Sequence, residues 1–441
     1  MLIEFKVANF RSFHDEQTFT FVASKQDTSH PENLIPLEDG VDLLKSAAIY
    51  GPNASGKSNL IKAMWAMEGF VLRSATKMSL GDLIRRMAPF RLDSQSQDEP
   101  SQLEITVLLD GNTYIYGFSA TTDRVHEEWL YVRLAGKRIS KWIDRTYDAS
   151  TGETSWKCLG ELKKEEKLLR KRTRDNGLAF SRGAELNVEA LEPLYRWFKR
   201  NFWLHDLSKS PMFIVQTTAR RAKEDKNFRS FVEALMSDAD TGISGLNVQE
   251  QPALKARPKN MPENLYAALK DFIGDEDATS YAVSTKHYIS DTDATVEFDL
   301  VDDESNGTQR LFALAWPIFS ALEDGDLLVI DELDCSMHPL LTRKIVELFN
   351  SEEANKKGAQ LLFVTHDSSI MDSNILRRDQ IWLTEKRQDG STDLYSLFDI
   401  KSPRKNEALE KNYLSGKYGA IPIFGPVFED LEFTLEEESV E

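Results

Sequence analysis

Residues 51–58 read Gly51-Pro52-Asn53-Ala54-Ser55-Gly56-Lys57-Ser58, the complete G-x-x-x-x-G-K-S pattern of a phosphate-binding loop. The apolar residues 47–50 precede this loop, and residues 59–67 follow it with a helical pattern. Backbone N–H groups of such a loop surround phosphate oxygens, and the next helix directs its positive N-terminus at the same anion. The sequence therefore predicts that residues 51–58 and Asn59 bind ATP, with Lys57 at the β- and γ-phosphates and Ser58 as a Mg²⁺ ligand.

A second strand with functional side chains is predicted near the other end of the chain. Residues 326–332 form an apolar run that closes with Asp331 and Glu332, which is typical of a central parallel strand buried on both faces. We expect Asp331 to hold Mg²⁺ through its water shell and Glu332 to orient or deprotonate the attacking water. Alone, the run is also compatible with a buried strand followed by an acidic turn. Its occurrence together with a phosphate loop favours the catalytic interpretation.

A histidine closes another predicted strand. Residues 360–367 read Gln-Leu-Leu-Phe-Val-Thr-His-Asp, and His366 follows the apolar part. A lone histidine is more often a structural residue than a functional one. At a strand end downstream of the acidic strand, however, His366 suits a contact with the γ-phosphate.

A second anion-binding segment is predicted at residues 304–310, Glu-Ser-Asn-Gly-Thr-Gln-Arg, just ahead of an apolar helix over residues 311–322. Ser and Gly at a helix N-terminus provide N–H groups and a positive dipole end for an anion. Because the nucleotide already has its own phosphate loop, a second such helix start predicts a nucleotide held between two copies of the chain. Each copy would then contribute Ser305, Asn306, Gly307 and Thr308 to the site of the other.

Composition limits the class of protein. The chain has 441 residues, 41% of them hydrophobic, and a net charge of −18. This length suits one large domain with an insertion, or two to three ordinary domains. No apolar run has transmembrane length, and charged residues interrupt the first positions, so we expect a cytoplasmic protein with no membrane segment. Cys158 and Cys335 are too few for a disulfide framework, and Mg²⁺ is the only metal that we expect.

The pattern along the chain predicts an α/β head split by an insertion. We expect an N-terminal lobe over residues 1–150, with the phosphate loop and antiparallel strands, and a mostly helical arm over residues 151–275. The C-terminal lobe would cover residues 276–428, and residues 429–441 would form an acidic tail with seven acids. The aromatic stripe at residues 191–198 favours helix packing over base stacking.

The predicted arm carries a local excess of positive charge. Between Glu161 and Lys226 there are sixteen Lys or Arg residues against ten Asp or Glu residues. The net charge of the whole chain argues against a protein that wraps nucleic acid with its entire surface. A solvated helical arm with mixed charges is the simplest interpretation. Contact with nucleic acid or with a protein partner remains open.

The ordered motifs carry a resemblance. The phosphate loop, the Ser-x-Gly-Thr signature, the Asp-Glu strand, the Leu333-Asp334 turn and the histidine resemble an ATP-binding-cassette-type head, as in SMC and RecF-like ATPases. Residues 2–13 are similar to the first strand of those proteins, and Arg11 is by its position a candidate contact to the nucleotide. More closely, the chain resembles the stand-alone AAA-type ATPases of prokaryotic antiphage systems, the AbiL and RloA group. This similarity involves residues 239–243, 304–308, 378–382 and 413–422.

The resemblance implies a fold and a function. The fold is α/β, an ABC-type P-loop NTPase head with an antiparallel β-lobe and an inserted helical arm. The implied function is that of an antiphage ATPase, at least a homodimer, which senses infection and controls a separately encoded toxic effector, often a TOPRIM-type nuclease. A RecF-like ATPase of DNA repair or replication is the alternative, and a scaffold that uses ATP only as structural glue is a third. Asn306 departs from the transporter consensus, which has glycine at this position.

Overall fold

The computed structural model describes residues 1–37, 40–206, 212–252, 279–290, 292, 294–400 and 407–423. The predicted acidic tail, residues 429–441, lies outside the described residues. In chain order, the described strands are β1 Leu2–Ala8, β2 Gln17–Thr20, β3 Leu34–Pro36, β4 Asp42–Leu44, β5 Ser46–Tyr50, β6 Ser101–Leu109, β7 Asn112–Ala120, β8 Val125–Arg133, β9 Ser140–Asp148, β10 Glu153–Cys158, β11 Phe202–Asp206, β12 Ile243–Pro252, β13 Thr279–Tyr288, β14 Thr295–Asp299, β15 Leu327–Asp331, β16 Gln360–Val364, β17 Ile381–Lys386 and β18 Thr392–Ser396. The described helices are α1 Lys57–Arg73, α2 Glu166–Arg172, α3 Ala179–Glu185, α4 Glu192–Arg200, α5 Met212–Glu224, α6 Lys226–Asp238, α7 Asn306–Asp324, α8 Pro339–Asn350 and α9 Leu409–Leu414.

The centre of the molecule is a mainly parallel sheet with the strand order β11-β15-β16-β5-β17-β18. Strands β5, β15 and β16 are buried along their whole length, as their continuous apolar sequences predict. In β5, Ala47 and Ile49 face one hydrophobic core, and Ala48 and Tyr50 face another. Because β15, β16 and β5 pair in parallel, their carboxyl ends lie at the same edge of the sheet. Each of these ends carries a predicted site motif.

A second sheet forms an antiparallel lobe with the order β10-β9-β8-β7-β6-β1-β2. It contains antiparallel strands of the predicted N-terminal lobe, among them β6 and β7, which the Asp110-Gly111 turn joins. The side chain of Gln360, at the start of β16, joins this lobe to the central sheet. Its amide donates to Leu2 O at 2.9 Å, and its Oε1 accepts the Leu2 N–H at 2.6 Å. The predicted fold class, α/β with an antiparallel β-lobe, is confirmed.

Residues 151–275 contain more strand than the sequence interpretation anticipated. Strands β10, β11 and β12 lie within this range, and β11 pairs in parallel with β15, so it forms an edge of the central sheet. Helices α2 to α6 nevertheless account for most of the regular structure in the described part of this range, as expected of a mostly helical arm, and the three strands are what the sequence did not predict. Strand β11 has only five residues, too few for periodicity to separate a strand from a helix. The boundaries assigned to the four regions stay predictions.

Helices α2 to α4 pack against the antiparallel lobe and α1 in one core. The carboxylate of Glu128 on β8 accepts the N–H groups of Ala179 and Phe180 at 2.7 and 2.9 Å, which caps α3. Arg145 on β9 is buried beside Glu128, at 3.4 Å, and donates to Gly177 O at 2.6 Å. This buried ion pair fixes the helices to the sheet.

The aromatic stripe on α4 belongs to the same core. Trp197 and Phe198 are buried, and Trp197 stacks on Phe202 with ring centroids 5.1 Å apart. The prediction that this stripe packs helices is confirmed.

A third core joins α5, α6 and α7 to a sheet with the order β12-β13-β14. Strand β14 precedes α7 in the chain. Of the helices in the described ranges, none combines the length and the hydropathy needed to cross a bilayer.

Candidate nucleotide-binding site

The predicted phosphate loop connects the buried strand β5 to helix α1 with unusual backbone angles. Gly51 and Gly56 have φ values of +149° and +111°, and Ala54 has +63°. A Cβ atom at Gly56 would lie 2.2 Å from Thr392 Oγ1, and one at Gly51 would lie 2.4 Å from Thr384 O. Both positions therefore require glycine for space as well as for conformation. At the tip of the loop, Asn53 and Ala54 are exposed.

Hydroxyl groups from distant segments hold the loop in place. Thr384 on β17 shares a hydrogen bond of 2.6 Å with Ser55 Oγ. Thr392 on β18 donates to Ser55 O at 2.8 Å, and its own N–H bonds to Ser12 O at 2.7 Å. Asn59 donates to Ser12 Oγ at 2.8 Å, so the amide of this predicted site residue contacts the N-terminal segment. The sequence interpretation missed Thr384 and Thr392, because a threonine in a strand carries no signal of such a role.

Lys57 is buried at the start of α1. Its ammonium group donates to Gly51 O at 2.7 Å and to Pro52 O at 3.0 Å, so it lies across the beginning of its own loop. Burial lowers the pKa of Lys57 to about 8, and the nearby carboxylates of Asp331, Asp334 and Glu332 oppose this shift. A cation that is bonded only to carbonyl oxygens is well suited to exchange them for phosphate oxygens.

The end of β15 brings an acid to the loop. Asp331 is buried as the last residue of this strand, and Ser58 Oγ donates to its Oδ1 at 3.1 Å. Hydroxyl and carboxylate oxygens are the ligands that Mg²⁺ prefers, so these two residues fit the predicted metal ion. Glu332 follows with a left-handed φ of +58°, which turns the chain sharply at the sheet edge. Backbone pairing places Asp206 of β11 directly beside Asp331.

The predicted histidine contacts the turn that follows the acidic strand. The backbone N–H of His366 faces the carboxylate of Asp334, with distances of 3.2 and 3.3 Å to its two oxygens. Burial and the charge of Lys57 lower the pKa of His366, while Asp334 and Glu332 act in the opposite direction. A lowered pKa keeps the imidazole neutral at pH 7, with one N–H available as a hydrogen-bond donor.

The predicted signature segment forms the start of α7. Ser305 is the N-cap, and its Oγ accepts the Thr308 N–H at 3.1 Å. A Cβ atom at Gly307 would lie 2.5 Å from Ser336 O. Arg310, one turn further, donates to Cys335 O at 2.8 Å. The helix start therefore packs against the loop that follows Glu332.

Two signature residues face outward. Ser305 and Asn306 are both exposed, so the start of α7 can meet another molecule. A composite site with a second copy of the chain requires this exposure.

Arg11 lies in the tight turn after β1, with a left-handed φ of +53°. Its N–H donates to Ala88 O at 2.7 Å, and its side chain is exposed. Burial of part of the guanidinium and the like charge of Arg91 lower the pKa of Arg11. The next residue, Ser12, contacts Asn59 and Thr392.

Fold and site together define a P-loop protein of the AAA/ABC-type ATPase class. The chain belongs to the family described as "AAA domain, putative AbiEii toxin, Type IV TA system", which matches residues 46–372. The matched residues include the phosphate loop, the signature segment, the acidic strand and His366. Assignment to the AbiL and RloA group, and the roles of the individual site residues, stay predictions. No curated protein matches the sequence.

Solved structures that are similar to the chain include SMC heads and the recombination mediator protein RecF. An SMC head bound to the C-terminal winged-helix domain of ScpA is 15% identical with a TM-score of 0.44, covering 90% of this chain and 97% of that one. The SMC head domain from Thermotoga maritima is 13% identical with a TM-score of 0.40, covering 90% and 98%. The recombination mediator RecF with ATP is 16% identical with a TM-score of 0.34, covering 90% and 99%.

Proposed function

We propose that the protein is a Mg²⁺-dependent ATPase of prokaryotic antiphage defence, whose ATP-dependent head association controls a separately encoded toxic effector. The observation that carries the enzymatic part is the contact between Ser58 and Asp331. It joins the phosphate loop to the acidic strand, with Glu332 next in the chain. The family description, which names a toxin and a type IV toxin–antitoxin system, supports the defence part.

Each predicted site residue has a defined task in this proposal. Lys57 would exchange its carbonyl partners for β- and γ-phosphate oxygens, and Ser58 and Asp331 would hold Mg²⁺. The metal ion supplies neutralisation of the charge on the phosphates. Glu332 orients the attacking water and accepts its proton, and neutral His366 donates a hydrogen bond to the γ-phosphate.

A second copy of the chain completes the site. The exposed start of α7 contributes the hydroxyl of Ser305 and the backbone N–H groups of the first helical turn, which favour a negatively charged ligand. In the proposed assembly, this helix start of one copy caps the ATP held by the phosphate loop of the other. Hydrolysis breaks the bond between the β- and γ-phosphates, and release of inorganic phosphate then removes the charge that holds the two faces together, so turnover limits the lifetime of the assembly.

The partner is tested by purification of the tagged protein from its native operon, with neighbouring genes intact, followed by mass spectrometry. The Lys57→Ala variant is purified in parallel as the nucleotide-free control. A toxic effector, such as a TOPRIM-type nuclease, that co-elutes in stoichiometric amounts with the wild type supports the proposal. Recovery of the ATPase alone or with DNA-repair proteins, together with DNA-stimulated and salt-sensitive turnover, contradicts it and favours a RecF-like role.

A further inference from the structure

The residue that precedes the signature segment is fixed to the three-stranded sheet by its side chain. Glu304 comes directly before Ser305, the N-cap of α7, and its side chain is only 10% exposed. Thr285 on β13 donates its hydroxyl hydrogen to Glu304 Oε1, and His287 Nε2 on the same strand lies 2.8 Å from this oxygen. An ionised carboxylate only accepts hydrogen bonds, so the imidazole is the donor in this contact. Two side chains of β13 therefore hold one oxygen of Glu304.

The donor His287 is itself in contact with both neighbouring strands. The ring of Phe298 on β14 packs against the imidazole, with ring centroids 4.8 Å apart. On the other side, Ile243 at the start of β12 pairs with His287. Gly242, in the turn before β12, has a φ of +72°, and a Cβ atom there would lie 3.6 Å from His287 Nδ1. Contacts with all three strands therefore fix this donor, and the turn belongs to residues 239–243, a segment on which the resemblance described above depends.

The backbone of Glu304 is fixed as well. Gln309, near the start of α7, donates from Nε2 to the carbonyl oxygens of Val301 and Glu304, both at 3.0 Å. Ser305 and Asn306, the next two residues, are exposed. Exposed groups can meet a ligand in one defined geometry only when the residues that support them are held in place. For the start of α7, Glu304 is that support.

We propose that Glu304 is a positioning residue for the signature segment, and that through Thr285 and His287 the three-stranded sheet sets the position of Ser305 in the association of two heads. The proposal rests on the ATP-dependent head association proposed above, in which Ser305 meets the nucleotide of the other copy. Without the carboxylate of Glu304, both donors of β13 lose their acceptor, and the start of α7 is free to shift. The hydrogen bonds described above for the phosphate loop do not involve this residue. We therefore expect a defect in association and not in ATP binding.

The test compares Glu304→Ala with Glu297→Ala, both made in the Glu332→Gln protein as the parent, so that bound ATP persists. Glu297 on β14 is the matched control, because its carboxylate accepts from Asn247 Nδ2 and Ser284 Oγ within the same sheet. A fluorescent ATP analogue measures nucleotide affinity at low protein concentration, and light scattering against protein concentration measures the dissociation constant of the ATP-bound dimer. We expect Glu304→Ala to raise the dimer constant about tenfold with ATP affinity within about twofold of the parent, and Glu297→Ala to leave both within about twofold.

A second variant weakens the same contact with a smaller change. Thr285→Val keeps the shape of a buried side chain and removes one donor to Glu304, so we expect the dimer constant to rise about threefold, again with unchanged ATP affinity. Mixing gives a third readout, in proteins that keep Glu332. Glu304→Ala should regain part of its turnover when Lys57→Ala is added, because the added copy contributes an intact signature segment to the nucleotide that the first copy holds.

The positioning role is wrong if Glu304→Ala and Thr285→Val associate as tightly as the parent, if ATP affinity falls as much as association does, or if Glu297→Ala is equally impaired. It is also wrong if Lys57→Ala restores no turnover although mixed dimers are detected. The Glu332→Gln parent separates this failure from that of the proposed function. A parent that binds ATP and stays monomeric overturns both proposals.

Discussion

The hydroxyl of Ser58 donates a hydrogen bond to Asp331 Oδ1 at 3.1 Å, across 273 positions of sequence. Ser58 belongs to the first turn of α1, and Asp331 is the last residue of β15. Strand β16 lies between β15 and the strand that carries the phosphate loop. The predicted Mg²⁺ ligands therefore come from elements that are not neighbours in the sheet, and the fold brings them together before nucleotide binds.

Removal of the Ser58 hydroxyl tests its role as a metal ligand. Ser58→Ala should lower turnover at least about 100-fold and abolish the gain in ATP affinity that Mg²⁺ provides. Ser58→Thr is the matched control, because threonine keeps the hydroxyl and occurs at this position of phosphate loops. ATP binding is titrated with Mg²⁺ and with a chelator. A Ser58→Ala protein that still responds to Mg²⁺ like the wild type would show that the metal is held elsewhere.

A mixing experiment tests whether the signature segment acts on the other subunit. Lys57→Ala lacks a working phosphate loop, and Asn306→Arg blocks the exposed start of α7 while Ser305 remains as its cap. Each variant alone should be inactive. Only a heterodimer has an intact composite site that ATP can close, and it has one such site of two, so we expect turnover of an equimolar mixture to recover to at most about half of the wild-type rate. If mixed dimers are detected but turnover does not recover, the signature segment of one copy does not complete the nucleotide site of the other.

The buried pair of Glu128 and Arg145 predicts a large loss of stability when one partner is removed. Glu128→Ala leaves the Arg145 charge and two N–H groups of α3 without this acceptor, so the free energy of unfolding should fall by about 3–5 kcal/mol. Glu192→Ala is the comparison, because its pair with Arg196 is exposed and should contribute less than about 1 kcal/mol. Urea denaturation measures both. Similar small losses for the two variants would be inconsistent with the described environment of Glu128.

The lowered pKa of Lys57 predicts that ATP binds more weakly in alkaline solution. In the nucleotide-free protein this pKa is about 8, and the negative phosphates raise it on binding, so the charged form is the one that binds. Affinity should therefore be constant below about pH 7 and fall above about pH 8, by at most about tenfold per pH unit. Binding titrations across this range measure the effect. The Lys62→Met variant, which is altered on the same helix, is the control and should show the same dependence of ATP affinity on pH. If the affinity of the wild type does not change with pH, titration of Lys57 is excluded.

The elements that the sequence predicted correctly are those with strong local signals. Strands β5, β15 and β16 are mainly apolar runs that end at Gly51, Glu332 and the histidine loop. Runs of this kind are typical of parallel strands that are buried on both faces. The start of α7 was identifiable from its Ser and Gly residues, because an N-cap has a characteristic composition. These same residues carry most of the candidate site.

The contacts that the sequence did not reveal depend on tertiary structure. Thr384 and Thr392 hold the phosphate loop from strands more than 300 residues away in sequence, and either could be an ordinary strand threonine. Tyr413, on α9, packs beside Tyr50 only because the chain returns to the sheet edge after β18. Strand β11 was assigned to a helical region because its five residues are too few to separate the hydrophobic period of a strand from that of a helix.

The central claim is that ATP joins two heads and that Glu332 ends the association by hydrolysis. The most direct test is light scattering of the purified Glu332→Gln protein with ATP and Mg²⁺, alongside its rate of phosphate release. We predict a stable dimer and a rate about 10² to 10⁴ times below that of the wild type, whereas Lys57→Ala should stay monomeric under the same conditions. Equal turnover of wild type and Glu332→Gln, or a variant that remains monomeric with ATP bound, would contradict the claim.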